Sequence, residues 1–117
     1  MYYTYILRCE DNSIYTGIAT DINRRMEEHF TQNKKGAKYT KSHMPKKVVA
    51  VWKSKDKSNA SRLEAYIKTL TKKQKEEIII NNNLKEYLKE KIDLRRYRRI
   101  ELQKIINSKY LWNIDIK

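Results

Sequence analysis

Glycine and proline are scarce, with two glycines and one proline in 117 residues. Collagen-like, linker-rich and low-complexity chains need far more of both, so those classes are excluded. Gly17, Gly36 and Pro45 each call for a local reason. There is one cysteine, Cys9, so no internal disulfide is expected. With only His29 and His43 beside it, the closely spaced ligand pairs of a structural zinc site are missing. No apolar run approaches the ~18 residues that a membrane-spanning helix requires. The stretch Met1–Arg8 is too short and too polar for a signal peptide. The expectation is a chain with no membrane partner in a reducing cytoplasm.

What the sequence does contain is positive charge. Lys and Arg number 27 against 14 Asp and Glu, a formal net charge of +13. The distribution is uneven. Residues 1–33 hold three basic and five acidic residues, a net of −2. Residues 34–84 hold fourteen and four, a net of +10, and residues 85–117 hold ten and five, a net of +5. A surplus of this size attracts polyanions, because each neutralised phosphate releases counterions. A solvated lysine-rich surface would give the same count. At 39% hydrophobic the chain has enough apolar material for one modest core, and its length suits a single compact domain.

Tyr2–Arg8 is aromatic and β-branched and reads as a strand. Glu10–Ser13 is a polar turn. Ile14–Ile18 reads as a second short strand, so the chain opens with a hairpin. Thr20 or Asp21 is placed to cap a helix that runs to about Phe30. Its Ile22, Met26 and Phe30 face the core, and Arg25 and His29 share a neighbouring stripe four residues apart. Thr31–Pro45 reads as a basic loop. Lys47–Trp52 is a third strand. Ser58 or Asn59 caps the next helix, with Ala60, Leu63, Ile67 and Leu70 on its apolar face. Thr71-Lys72-Lys73-Gln74 matches a capping box that opens a helix to about Ile80, and Asn81–Asn83 break it. The pattern turns helical again from Leu84 to about Asn107, and its phase drifts near Leu94–Tyr97, which allows a kink or two helices. The expected fold is α+β, a small three-stranded antiparallel sheet flanked by helices, with a C-terminal helical extension.

One ordered set of residues stands out. Tyr5 and Tyr15 are ten apart on the paired strands, and Gly17 follows Tyr15 by two. Arg25 follows Tyr15 by ten, His29 follows Arg25 by four, and Glu64 lies on the helix after the third strand. This order resembles the GIY-YIG nuclease family, most closely its small stand-alone bacterial members. Tyr3-Thr4-Tyr5 takes the place of the first name-giving motif and Tyr15-Thr16-Gly17 that of the second. The first lacks its glycine and isoleucine, and Thr16 stands where isoleucine is usual. The stretch Tyr15–His29 looks like the family's strand-to-helix signature throughout. Lys35–Thr40 and Arg62–Lys75 are similar to further family segments. The resemblance covers about residues 2–80.

The resemblance implies a nuclease-like domain at 1–80, followed by a basic helical extension at 81–117 that is packed on it or appended to it. It implies a metal-dependent DNA endonuclease that hydrolyses phosphodiester bonds, with repair and branched or flapped DNA as candidate settings and RNA still open as a substrate. Tyr5, Tyr15, Arg25, His29 and Glu64 are the catalytic candidates, and Gly17 is structural within the motif. Tyr5 or Tyr15 is the general base, with Tyr5 favoured and Tyr15 positioning water or phosphate. His29 relays a proton or contacts phosphate. The residue chemistry agrees with these roles. Arg25 offers a planar fork suited to phosphate. Glu64 is suited to one Mg²⁺ or Mn²⁺ whose remaining positions go to water and substrate, and is also spaced for an ordinary helix pair with Lys68. Lys38 and Lys68 are candidates for the DNA backbone. So is the run Arg95, Arg96, Arg98 and Arg99, with Tyr97 inside it for stacking on an unpaired base; that run is equally readable as a solvated helix face. The alternative function is a non-catalytic nucleic-acid-binding module on the same fold.

Overall fold

The computed structural model describes residues 1–31 and 43–111. The expected loop around Gly36 and Lys38 lies outside the described residues. Strand β1 (Tyr2–Cys9) and strand β2 (Ile14–Ala19) form an antiparallel hairpin. Its turn is closed by the Asp11 carboxylate, which accepts from the Ser13 backbone N–H at 3.0 Å and the Ser13 hydroxyl at 2.6 Å. Asn12 takes the left-handed conformation there, with φ of 70°, which asparagine tolerates better than most residues. Helix α1 (Ile22–Phe30) follows, capped by Asp21 on the Arg24 N–H at 3.1 Å. Strand β3 (Pro45–Ser54) starts at Pro45, where a missing N–H removes no ladder bond from the strand interior.

Helix α2 (Lys57–Lys68) is capped two to three residues earlier than the spacing predicts, by Asp56 on the Asn59 N–H at 2.9 Å rather than by Ser58 or Asn59. Helix α3 (Lys72–Asn81) opens with both halves of the expected capping box, Thr71 and Gln74 bonding each other's backbone N–H. It ends at Asn82, which is left-handed, with φ of 53°. Helix α4 (Leu84–Leu88) is short. A two-residue strand β4 (Arg98–Arg99) then completes a four-stranded sheet in the order β2-β1-β3-β4. No helix among the described residues is long and apolar enough to cross a membrane.

Strand β1 lies in the middle and its alternation divides the core in two. Ile6 joins Ala50, Trp52, Leu63, Ile67 and Ile78 on the face covered by α2 and α3. Tyr5 and Leu7 point to the other face, with Ile22 and Met26 of α1. Val48 and Val51 both reach that second face although they are three residues apart, because the register shifts by one residue between Ile6 and Leu7. Such a bulge inverts the alternation locally.

The C-terminal segment is far less helical than its periodicity predicts, and the break falls before the phase drift at Leu94–Tyr97. Leu84, Leu88 and Ile92 do pack into the first cluster, at their helical spacing. The helix nevertheless stops at Leu88, and the chain turns through a 3₁₀ turn at Leu94–Arg96 into β4. The outer edge of β3 would otherwise present unpaired backbone groups, and β4 with the Ile100 N–H, donated to the Val51 carbonyl at 2.9 Å, closes part of that edge. The chain then crosses to the other face, where Ile106 and Tyr110 enter the second cluster. Asn23 of α1 clamps it there, donating to the Ile105 carbonyl at 2.9 Å and accepting from the Asn107 N–H at 2.7 Å.

Arg99 also departs from expectation, since it faces the protein rather than a phosphate. Its guanidinium donates to the carbonyls of Ile78 at 3.0 Å and Ile79 at 2.9 Å and stacks over Trp52 at 5.0 Å. The fork thus adds a second donor to the Ile78 carbonyl, which already accepts the Asn82 N–H at 3.0 Å, and reaches the Ile79 carbonyl in the last turn of α3. Arg99→Ala is expected to lower stability by about 2–3 kcal/mol, the range for hydrogen bonds to a charged group, as read from urea unfolding. An unchanged midpoint would assign Arg99 no structural role.

Candidate active site

The hairpin register sets Tyr5 directly opposite Gly17, on the face that α1 covers. Tyr15 precedes Gly17 by two residues and so shares that face. The Tyr5 ring lies across Gly17. A Cβ at position 17 would stand 2.5 Å from the Tyr5 hydroxyl oxygen and 2.9 Å from the Tyr15 ring. Both tyrosines occupy the space that glycine leaves, which is the local reason for one of only two glycines in the chain.

Helix α1 brings His29 onto the same point. Its Nε2 is 2.6 Å from the Tyr5 hydroxyl oxygen, and His29 is fully buried. The rings of Tyr5, Tyr15 and His29 form a closed triangle with centroid separations of 6.2, 5.7 and 5.3 Å. Burial is the main reason that the Tyr5 phenol holds its proton well above the usual tyrosine range. Tyr15 and the negative charge of Glu64 act in the same direction, while Arg25 opposes them. Burial likewise pushes His29 down, to about 4, with the Arg25 charge adding to it. Both groups are therefore neutral at pH 7, and the phenol oxygen and Nε2 share one proton between them.

One turn before His29, Arg25 donates to the Glu28 carboxylate at 2.7 Å. Arg24 approaches the same carboxylate at 3.9 Å. Glu28 is buried and orients the guanidinium, a role that the residue-by-residue reading above missed. Its signal was present in the sequence, as an acid three residues after one arginine and four after another. A cavity of about 230 Å³ opens here, bordered by Ala19, Thr20, Asp21, Arg24, Arg25 and Glu28. From α2, Lys68 sits 6.0 Å from the Tyr15 ring centre and donates to Glu64 at 3.2 Å, the helix pair that their spacing allows.

Tyr5, Tyr15, Gly17, Arg25, His29, Glu64 and Lys68 thus gather around one edge of the sheet. Lys38 lies outside the described residues. Arg95, Arg96 and Arg98 lie toward the opposite edge, at β4, and do not converge on this site. Among the described residues no three His, Cys, Asp or Glu side chains cluster as a metal cage. The donor set instead fits a hard cation held through one carboxylate, Glu64, with water and substrate oxygens completing its shell.

Residues 1–77 match a family model described as the GIY-YIG catalytic domain. The chain belongs to the GIY-YIG nuclease family, whose substrates are nucleic acids. Within it, the relatives are stand-alone UPF0213 proteins. The UPF0213 protein FN1575 of Fusobacterium nucleatum is 46% identical over 104 residues, covering 89% of this chain and 97% of its own. The UPF0213 protein YsiG of Lactococcus lactis is 38% identical over 103 residues, covering 87% and 97%. The solution NMR structure of the UPF0213 protein BH0048 from Bacillus halodurans is 42% identical, covers 68% of this chain and 83% of that one, and superposes with a TM-score of 0.44.

Two predictions follow from the packing at this point. Gly17→Ala must displace the Tyr5 hydroxyl. It is expected to cost ~1–3 kcal/mol from overpacking and about 100-fold in any reaction that uses Tyr5, as measured by thermal melting and turnover. Wild-type values for both would refute the contact. The second concerns pH. The folded His29 releases its proton near 4 against an ordinary value of 6.5. Between those values the unfolded chain binds more protons, so stability is complete above about pH 6.5 and falls as pH drops toward 4. Melting curves of wild type and His29→Gln should diverge above that window and converge below it. Parallel curves would show that His29 is not buried in its neutral form.

Proposed function

We propose that the protein is a metal-dependent DNA endonuclease that hydrolyses phosphodiester bonds, acting in the cytoplasm on structured DNA such as nicked, flapped or branched duplexes. The observation that carries this reading is the Tyr5–His29 pair, seated on Gly17 with Arg25 alongside. A buried phenol that resists ionisation is a poor free phenolate, but it makes an effective relay. As water loses a proton to the Tyr5 oxygen, the Tyr5 proton passes to the neutral Nε2 of His29. The oxygen of that water attacks phosphorus as the bond from phosphorus to the leaving oxygen breaks; that oxygen takes a proton from solvent, and His29 is the cation until it releases its own proton to solvent. Tyr5 never carries a full charge in this sequence, which suits its burial. Arg25, oriented by Glu28, brings its positive charge to the phosphoryl oxygens, where charge builds in the transition state. Tyr15 walls the water position, and Lys68 adds positive charge above it.

Glu64 is the residue that would hold a divalent ion, and Mg²⁺ or Mn²⁺ there would supply Lewis acidity to the phosphate and the leaving oxygen. The Lys68 pair neutralises Glu64 in the resting protein and frees it when Lys68 turns to the substrate backbone.

The test is cleavage of nicked, flapped, branched and plain duplex DNA in Mg²⁺ or Mn²⁺. Tyr5→Phe removes the relay oxygen and Glu64→Gln removes the carboxylate charge. Each is expected to lower the rate by about 10²–10⁴-fold. Equal background cutting by wild type and Glu64→Ala would overturn the reading. Salt-dependent binding without any cutting would establish the protein as a binding module instead.

A further inference from the structure

The sheet edge opposite the tyrosines carries a second concentration of charge. A cavity of about 410 Å³ opens there, bordered by Lys53, Lys55, Arg95, Arg96, Tyr97 and Arg98 among others. Asp93 offsets part of it, pairing with Arg95 at 3.0 Å and Arg96 at 3.6 Å. Lys53, Lys55 and Arg98 make no side-chain hydrogen bond or ion pair with any described residue. Lys53 and Arg98 are also cross-strand partners on β3 and β4. Like charges directly opposite one another destabilise a sheet. The arrangement is relieved when an anion sits between them.

Register connects this cavity to the site already described. Ala19, Tyr3, Lys53 and Arg98 are successive partners across all four strands. Ala19 and Tyr3 pack against the α1-side cluster, so the row lies on the face that holds Tyr5. At one end, Ala19 borders the cavity that holds Arg24 and Arg25. At the other end, Lys53 and Arg98 border the basic cavity. Three strand spacings of about 4.8 Å separate the ends by ~14 Å.

We propose that the cavity at Lys53 and Arg98 is a phosphate subsite, which holds the backbone of the nucleic-acid strand across the width of the sheet from the phosphate at Arg25. The nature of the strand rests on the nuclease reading, whereas the anion site rests on the geometry of this edge. Both side chains point outward, so Lys53→Gln/Arg98→Gln leaves the core intact.

The experiment is fluorescence anisotropy of a labelled DNA duplex with the full chain, in EDTA, across a series of NaCl concentrations. Two lost phosphate contacts are expected to weaken binding about tenfold and to reduce the slope of log K against log salt by about 1.8. Lys85→Gln/Lys89→Gln removes the same charge from α4 and the turn after it, and is expected to keep the wild-type slope. An unchanged slope in the first variant overturns the proposal. An equal loss in the second does so too, because net charge alone would then account for binding. If wild type binds through Lys53 and Arg98 yet cuts no DNA, the subsite stands and the nuclease reading falls. If wild type cuts and the double variant binds DNA as wild type does, the nuclease reading stands and the subsite falls.

Discussion

The contact between the Tyr5 hydroxyl and Gly17 is the constraint around which the site is built. A central strand must pack a full aromatic ring beneath a helix while keeping its oxygen within reach of that helix's histidine. Only a neighbour without a side chain leaves the oxygen in place. The three-ring triangle forms around this close approach, while burial keeps His29 neutral, with the Arg25 charge adding to it, and raises the proton affinity of Tyr5. Burial strengthens the hydrogen bond between the two groups and disfavours charge on either.

Much of this was legible in the sequence because the relevant relations are short and periodic. Tyr5 and Tyr15 lie on a hairpin whose turn residues announce it, and a hairpin fixes its own register. Arg25 and His29 share a helix stripe, and Thr71 with Gln74 announces α3. Glu64 needed the ordered motif set as well, because an acid four residues before a lysine is common on any helix. Glu28 was overlooked for a related reason. Its acid–arginine spacing reads as surface chemistry until burial shows that the carboxylate is turned inward.

The segment after Asn83 reads as helical, with a kink or second helix allowed, because Leu84, Leu88 and Ile92 keep helical phase. What stops the helix is tertiary. The edge of β3 offers backbone partners, and the carbonyls at the end of α3 offer Arg99 a place to dock. Neither is visible in local spacing. The five-residue run Arg95–Arg99 looks uniform as letters, yet it divides in space. Arg99 turns inward onto Trp52, Tyr97 donates its hydroxyl to the Asn59 carbonyl at 2.8 Å, and Arg98 faces solvent. Alternation along an extended strand, rather than a helical stripe, sorts these residues.

Because the C-terminal segment wraps the far side of the sheet, the two edges of the sheet are unequal. At the far edge, β4 is two residues long and leaves little ladder to extend. At the near edge, β2 presents six residues with no described strand beyond it. A second chain that added itself edgewise to this sheet would therefore dock along the strand that carries Tyr15 and Gly17. Edgewise pairing of that kind would cover the outer backbone groups of β2 beside Tyr15 and Gly17.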